Sequence, residues 1–130
     1  MKKSVEIGKV IYSILAADAD VSVLLENKIF PLVAEDGTTY PFAVYRRSGI
    51  DAEQTKDRLI CSEICDVEIV AVADDYEVSL NLASAILNAL NGKSGIWKDT
   101  EITDVKFVSI FEDFSNDAYL QKITLKIFIK

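Results

Sequence analysis

The sequence predicts an α+β fold in which two main helices pack on an antiparallel or mixed sheet of about four to five strands. The first indication is at Asp74-Asp75, where alternating apolar and polar residues give way to apolar residues at helical spacing. The second is the closing stretch from Ala118 to Lys130, where apolar and polar residues again alternate. The chain has 130 residues, half of them hydrophobic, and we expect a single domain over residues 1–130.

The first expected helix covers residues 4–17, with Ser4 as its N-cap. Asp18 or Asp20 interrupts this pattern and can cap one or two further helical turns over residues 21–25. The apolar face of the first helix comprises Ile7, Val10, Ile11, Ile14 and Leu15.

Three extended segments are expected next. Pro31 lacks a backbone donor, so residues 28–32 belong at a sheet edge or outside the sheet. A second strand is expected over residues 42–47, and a third over residues 59–73 leads into the main helix. Between these two strands, residues 49–57 lose their apolar periodicity and become charged, which predicts an exposed hairpin loop or a flexible arm.

The main helix is expected to begin at Asp74, an N-cap with Glu77 three residues later, and to end before Gly92. Its packing face is expected to comprise Tyr76, Leu80, Ala83, Ile86, Leu87 and Leu90. Two antiparallel strands, over residues 102–111 and 118–130, then close the chain. The core-facing residues of the last strand are Ile123, Leu125, Ile127 and Ile129.

Charge and composition exclude several classes of function. The net charge of −7 disfavours binding to nucleic acid or to an anionic membrane. Glu6 and Lys9 interrupt the apolar run that a signal peptide would need, so we expect no export by this route. The longest uncharged run, residues 78–92, is shorter than the ~20 residues of a bilayer span, so we expect no membrane insertion. Cys61 and Cys65 are four residues apart on one extended segment, too far to form a disulfide with each other, and are expected as reduced thiols.

Catalytic and metal-binding patterns are missing from the sequence. The chain has no histidine, and no phosphate-binding glycine loop or nucleophile elbow. The acidic pairs Asp74-Asp75 and Glu112-Asp113, like Asp18 and Asp20, stand where helix caps or turns explain them. We therefore expect no enzymatic activity, no cofactor and no metal.

Three blocks of sequence, in this order, resemble the bacteriophage tail completion or tail terminator proteins. The first is residues 15–47, where a small acidic turn precedes Ile29-Phe30-Pro31 and Tyr40-Pro41-Phe42 opens a strand. The second is residues 67–90, a strand that runs into a helix after an aspartate. The third is the closing hairpin, which carries Phe111-Glu112-Asp113 and Tyr119-Leu120.

The resemblance implies a structural subunit that assembles into a ring, a hexamer, which closes the tail tube and joins it to the head connector. Its partners would then be copies of itself, the tail tube and the connector, without direct nucleic acid recognition. It would be found in the virion, and in the host bacterial cytoplasm during assembly. As a hypothesis, the residues that join neighbouring subunits are Arg46, Arg47, Glu53 and Lys56 on one copy and Glu112 and Asp113 on the next.

Two other classes of function remain open at this point. A small enzymatic or ligand-binding α+β domain would have a pocket between helix and sheet that holds two buried carboxylates. A regulatory protein-interaction domain would be a stable monomer that forms no ring.

Overall fold

The computed structural model describes the backbone of residues 2–54 and 60–130 and the side chains of residues 3–51 and 63–130. The helices are α1 (Lys2–Val5), α2 (Ile7–Ala17), α3 (Ala19–Leu25) and α4 (Tyr76–Leu90). The strands are β1 (Ile29–Pro31), β2 (Phe42–Gln54), β3 (Ile60–Ala73), β4 (Gly95–Trp97), β5 (Thr100–Ser115) and β6 (Ala118–Ile129). The α+β class is confirmed, and the two longest of these helices are α2 and α4.

The described strands form one six-stranded sheet in the order β1-β2-β3-β6-β5-β4. The expected four to five strands were too few, because β4 has three residues and no strand pattern of its own in the sequence. The sheet is mixed, since β1 pairs parallel to β2 while every other pairing is antiparallel. β3 and β6 are the central strands.

One face of the sheet is covered by the helices, and we call it the helix face. On β3 and β6 it carries buried side chains of odd number, which alternate with half-exposed ones of even number on the opposite, open face. The predicted core positions of β6 are confirmed, with Ile123 to Ile129 at most 2% exposed. The buried apolar side chains of α2 and α4 join the same hydrophobic cluster.

The predicted hairpin loop over residues 49–57 was largely wrong. β2 continues to Gln54 and stays paired with β3, with a bulge between Arg47 and Gly49. Residues 55–59, which include Lys56, lie outside the described residues. A half-exposed strand tolerates charged side chains and glycine, and for this reason the charged composition did not indicate a loop here.

The first helix also differs from the expectation. The structure has a short α1 and then α2, whose N-cap is Glu6 without a side-chain cap bond. Ser4 is not a cap. Its hydroxyl donates instead to Glu63 Oε1 at 2.5 Å, and both side chains are buried. This hydrogen bond fastens α1 to the helix face of β3.

The other helix caps agree with the prediction in part. Asp18 caps α3 by accepting from the Val21 N–H at 3.0 Å. Gly92 follows α4 with a φ of 75°, which suits a glycine after a helix. The N-cap of α4, however, is Asp75 rather than Asp74, and its carboxylate accepts from the Glu77 N–H at 2.9 Å.

The packing face of α4 was predicted only in part. Ala83, Ile86 and Leu90 are buried as expected, whereas Tyr76 and Leu80 are 44% and 38% exposed. The remaining buried side chains of α4 are Ser79, Leu82, Ala85 and Ala89. None of the described helices has the length and apolarity required to cross a lipid bilayer.

Replacing Asp75 with alanine should lower the free energy of unfolding by about 1 kcal/mol, because the first turn of α4 loses its acceptor. Asp74→Ala is the matched control, since the neighbouring aspartate is exposed and is not the N-cap. Urea denaturation of both variants measures the difference. Equal losses would contradict the assignment of the cap to Asp75.

The buried Ser4–Glu63 contact should make stability depend on pH. The hydrogen bond from Ser4 lowers the pKa of Glu63, so the folded state binds this proton less readily than the unfolded chain. Its contribution to stability is therefore complete above the unfolded-state pKa of about 4.3 and is lost as the pH falls through the lower folded-state pKa.

Glu63→Gln should accordingly reduce stability at neutral pH and flatten the acid limb of the stability profile below about pH 4.3. The measurement is thermal unfolding of wild type and variant across this range. An acid limb as steep as that of the wild type would show that other carboxylates dominate it.

Candidate functional site

Arg46 and Arg47 project to opposite sides of β2, and both are exposed. Arg46 lies on the open face, where its Nε is 3.1 Å from Glu68 Oε1 in a surface ion pair. Arg47 lies opposite Val67, on the helix-face side, and its Nη1 donates to the backbone oxygen of Val5 at 2.5 Å. Each guanidinium thus has one identified partner in its own chain and leaves other N–H groups available.

Glu112 and Asp113 lie near the end of β5, which extends through the segment expected to be a turn. Glu112 Oε2 accepts from the Tyr76 hydroxyl at 2.8 Å, and this hydrogen bond raises the pKa of Tyr76. Asp113 Oδ2 is 3.7 Å from Lys122 Nζ, and its Oδ1 accepts from the Phe114 N–H at 2.8 Å. Both carboxylates are exposed.

The structure does not bring the two arginines and the two acids together within one chain. They lie on β2 and β5, and the strands β3 and β6 stand between them. This separation agrees with a contact between the arginines of one copy and the acids of another, which remains a hypothesis. Of the other two proposed residues, Glu53 lies in β2, where only its backbone is described, and Lys56 lies outside the described residues.

Sequence analysis missed an exposed apolar strip along β5. β4 pairs only with residues 100–102 of β5, so the remainder of this edge has no partner strand in the described part of the chain. The exposed side chains of the strip are Phe107, Val108, Ile110, Phe111 and Phe114, between 39% and 66% exposed. A signal was present, because apolar residues here fall on both faces of the strand instead of alternating.

The opposite edge of the sheet carries a small cavity beside the arginines. It has a volume of about 240 Å³ and lies where α1 and α2 approach the end of β1 and the neighbouring part of β2. Its lining residues are Val5, Gly8, Pro31, Leu32, Tyr45, Arg46 and Arg47. Leu32 is 70% exposed at its mouth. The cavity is therefore apolar with a cationic rim.

Other reactive side chains have structural explanations. Burial raises the pKa of the Cys65 thiol to about 11, so it is protonated and a poor nucleophile near neutral pH. Asp18 and Asp75 are helix caps. Among the described residues, no group of acidic or cysteine side chains is arranged to hold a metal ion.

Comparison with known proteins gives one family and one fold. The sequence profile of the family described as Tail completion protein gp17 matches residues 9–129. Among solved structures, a chain in the virion of a native gene transfer agent (GTA) particle has a similar fold, with a TM-score of 0.73. That likeness covers 92% of this chain and 90% of the other at 15% sequence identity, which establishes the shared fold alone. A search of curated proteins finds no match.

The family match extends over nearly all of the sequence, including both proposed contact regions, β2 and β5. The chain therefore belongs to the Tail completion protein gp17 family, structural proteins of bacteriophage tails, as its sequence resemblance predicted.

Proposed function

We propose that copies of this chain assemble head to tail into a closed ring, a hexamer, that closes the tail tube and joins it to the head connector. The ring is a part of the virion and assembles in the host bacterial cytoplasm. Membership of a tail completion family supports a place in the tail, and the similar fold of a chain in a gene transfer agent virion is consistent with it.

The observation that carries the proposal is the placement of opposite charges on opposite sides of one sheet. Arg46 and Arg47 lie towards the β1 side, and Glu112 and Asp113 lie towards the β4 side. Two copies in the same orientation bring unlike charges together, whereas a two-fold contact through either edge brings like charges together. Head-to-tail contacts whose rotation closes produce rings.

The contacts within each chain do not prevent this assembly. Arg46 is paired with Glu68 at the surface, where an ion pair contributes at most about 1 kcal/mol. Asp113 and Lys122 are also exposed, with 3.7 Å between their charged atoms. A neighbouring subunit can therefore compete for these groups. Glu53 and Lys56 are further proposed contributors, because they follow Arg46 and Arg47 closely in the sequence.

Native mass spectrometry of the purified protein, alone and mixed with its tail tube protein, tests the ring. We expect a species with the mass of six copies. Arg46→Ala combined with Arg47→Ala should raise the concentration needed for assembly by about tenfold or more, because two charge pairs per contact are lost. Lys93→Ala with Lys98→Ala is the matched control, since both lysines are exposed and outside the proposed contact.

A wild-type chain that stays monomeric at high concentration, and also with the tail tube and connector proteins, would contradict the proposal. Equal effects of the arginine and lysine variants would overturn the contact while leaving the ring.

A further inference from the structure

We infer that the Phe114 side chain of one copy inserts into the cavity at the end of β1 in the next copy, while Glu112 and Asp113 beside it contact the two arginines at the rim. The inference rests on the proposed ring and deepens it, because it identifies one anchoring side chain and the pocket that receives it. A hydrophobic side chain on one surface that enters a pocket elsewhere on the same protein makes a head-to-tail contact.

The receiving cavity is an apolar pocket that opens at the surface. Its volume of about 240 Å³ exceeds the roughly 150 Å³ of an engineered apolar cavity that binds benzene, so a phenylalanine ring has room in it. Tyr45 lines the cavity and is 8% exposed, whereas Leu32 and Val5 are 70% and 49% exposed. The pocket therefore offers apolar contact both inside and around its opening.

The end of β1 stays in place when the neighbour binds. Pro31 pairs with Tyr45, and the Leu32 N–H donates to the Tyr45 oxygen at 2.9 Å, so β1 and Leu32 cover this part of the β2 edge. Pro31 and Leu32 also line the cavity. The proposed contact is therefore made by side chains, and it requires no free backbone group on β2.

Phe114 is held rigidly in its own chain. Its ring is 56% exposed and lies against the Tyr119 ring, with 4.9 Å between the centroids. The Tyr119 ring in turn contacts Tyr76 of α4 at 5.6 Å. The Phe114 N–H donates to Asp113 Oδ1 at 2.8 Å, which fixes the backbone. A preorganised aromatic side chain loses little conformational freedom on binding, which favours it as an anchor.

The exposed phenylalanines of β5 are Phe107, Phe111 and Phe114, and the first two are less suited to the cavity. Phe111 lies opposite Lys122, on the open face of the sheet. Phe107 follows Lys106, so its charged neighbour has the same sign as the rim of the cavity. Phe114 lies on the helix face and follows two acids directly.

The cavity and Phe114 lie on the same face of the sheet. Val5 and Gly8 line the cavity from the helices, and Tyr45 lies opposite Ile69 on the helix face. Phe114 lies opposite Tyr119, an odd-numbered residue of β6, and thus also on the helix face. When the helices of both copies are on the same side of the ring, Phe114 arrives at the side where the cavity opens.

The charged residues divide between the two faces in the same way. Arg47 and Glu112 lie on the helix face, because their cross-strand neighbours are Val67 and Gln121. Arg46 and Asp113 lie on the open face, opposite Glu68 and Leu120. Each arginine of the rim therefore has one acid on its own side of the sheet in the neighbouring copy.

The order of the residues along the contact also matches. Each of the pairs β2–β3, β3–β6 and β6–β5 is antiparallel, so β5 of a neighbour in the same orientation runs opposite to β2. Glu112 precedes Phe114 by two residues, or about 7 Å, and Arg47 follows Tyr45 by the same distance. With Phe114 in the cavity, Glu112 therefore lies towards Arg47.

Both members of this charge pair have hydrogen-bonding groups to spare. Glu112 Oε2 accepts from the Tyr76 hydroxyl, and no described residue donates to Oε1. Arg47 uses Nη1 for the Val5 oxygen and has further N–H groups. Glu112 and Arg47 of adjacent copies can therefore form a charge-assisted hydrogen bond without breaking contacts within either chain.

Charge substitutions on the two sides of the contact test the insertion. Phe114→Lys should raise the concentration needed for assembly by about tenfold or more, because the anchor is lost and the ammonium is repelled by the arginines of the rim. Leu32→Asp should do the same, since its carboxylate meets the acids of the neighbour. Both side chains are exposed, and aspartate tolerates the φ of 66° at this position. Sedimentation velocity measures assembly.

The decisive variant combines Phe114→Lys and Leu32→Asp in one chain. The introduced ammonium of one copy then meets the introduced carboxylate of the next, so the double variant should assemble about fivefold or more readily than either single variant. The matched control is Phe111→Lys with Leu32→Asp, which places the same charge on the same strand but on the open face. This control should show no rescue.

Absence of rescue in the double variant, with the wild-type ring still present in native mass spectrometry, would overturn the insertion and leave the ring. Single variants that assemble as readily as the wild type, or equal rescue by Phe111→Lys, would overturn it as well. Wild-type chains that stay monomeric beside their tail partners would overturn the proposed function and the insertion together.

Discussion

The pairing of β3 with β6 is the constraint on which the remaining structure depends. Ile69 lies opposite Ile123, so the odd-numbered residues of both strands point into the core formed with α2 and α4. A slip of one residue would carry Asp66 and Lys126 under the helices, where their ion pair would lose its hydration. The strands β2 and β5 pair with β3 and β6 in fixed registers of their own. Together these registers determine the faces on which four charged residues lie: Arg46, Arg47, Glu112 and Asp113. The chemistry of both sheet edges is thus set by packing in the centre of the molecule.

On both sides of the described sheet, a long strand is covered by an outer strand that is much shorter. β1 and β4 have three residues each, whereas β2 has 13 and β5 has 16. Long, unpaired edges invite pairing with other chains, and proteins usually blunt them. Here the bulges after Arg47 and Phe107 shorten the regular edges, and Asn91 and Gly92 occupy a part of β5. The stretch of β5 that remains is apolar. A closed ring would cover both edges of every copy, whereas a two-fold dimer would leave one of them exposed.

The sequence predicted those parts of the fold in which a single buried face determines the pattern. β6 is one case, because its alternation follows directly from packing on helices. The pattern on α4 was ambiguous, since Tyr76 and Leu80 are apolar yet exposed, while Ser79 is buried beside Gln121. Glu112 and Asp113 were assigned to a turn from their charge, although they belong to an exposed strand. The charged residues of the candidate interface could be named from the sequence. Their separation across the sheet could not, because it depends on a strand order fixed by long-range pairing.

Charge compensation within the single chain is compatible with assembly, since the two surface ion pairs on the open face can be linked and need not be broken. Lys122 is paired with Asp113, and Arg46 with Glu68. In the proposed ring contact, Asp113 of one copy meets Arg46 of the next, so the four side chains form a row of alternating positive and negative charge. Isolated surface pairs contribute little, but each inner member of such a row gains a second opposite charge. A subunit can therefore remain compensated in solution and still gain electrostatic energy when its neighbour arrives. Because the row lies on the half-exposed face, salt would weaken this gain.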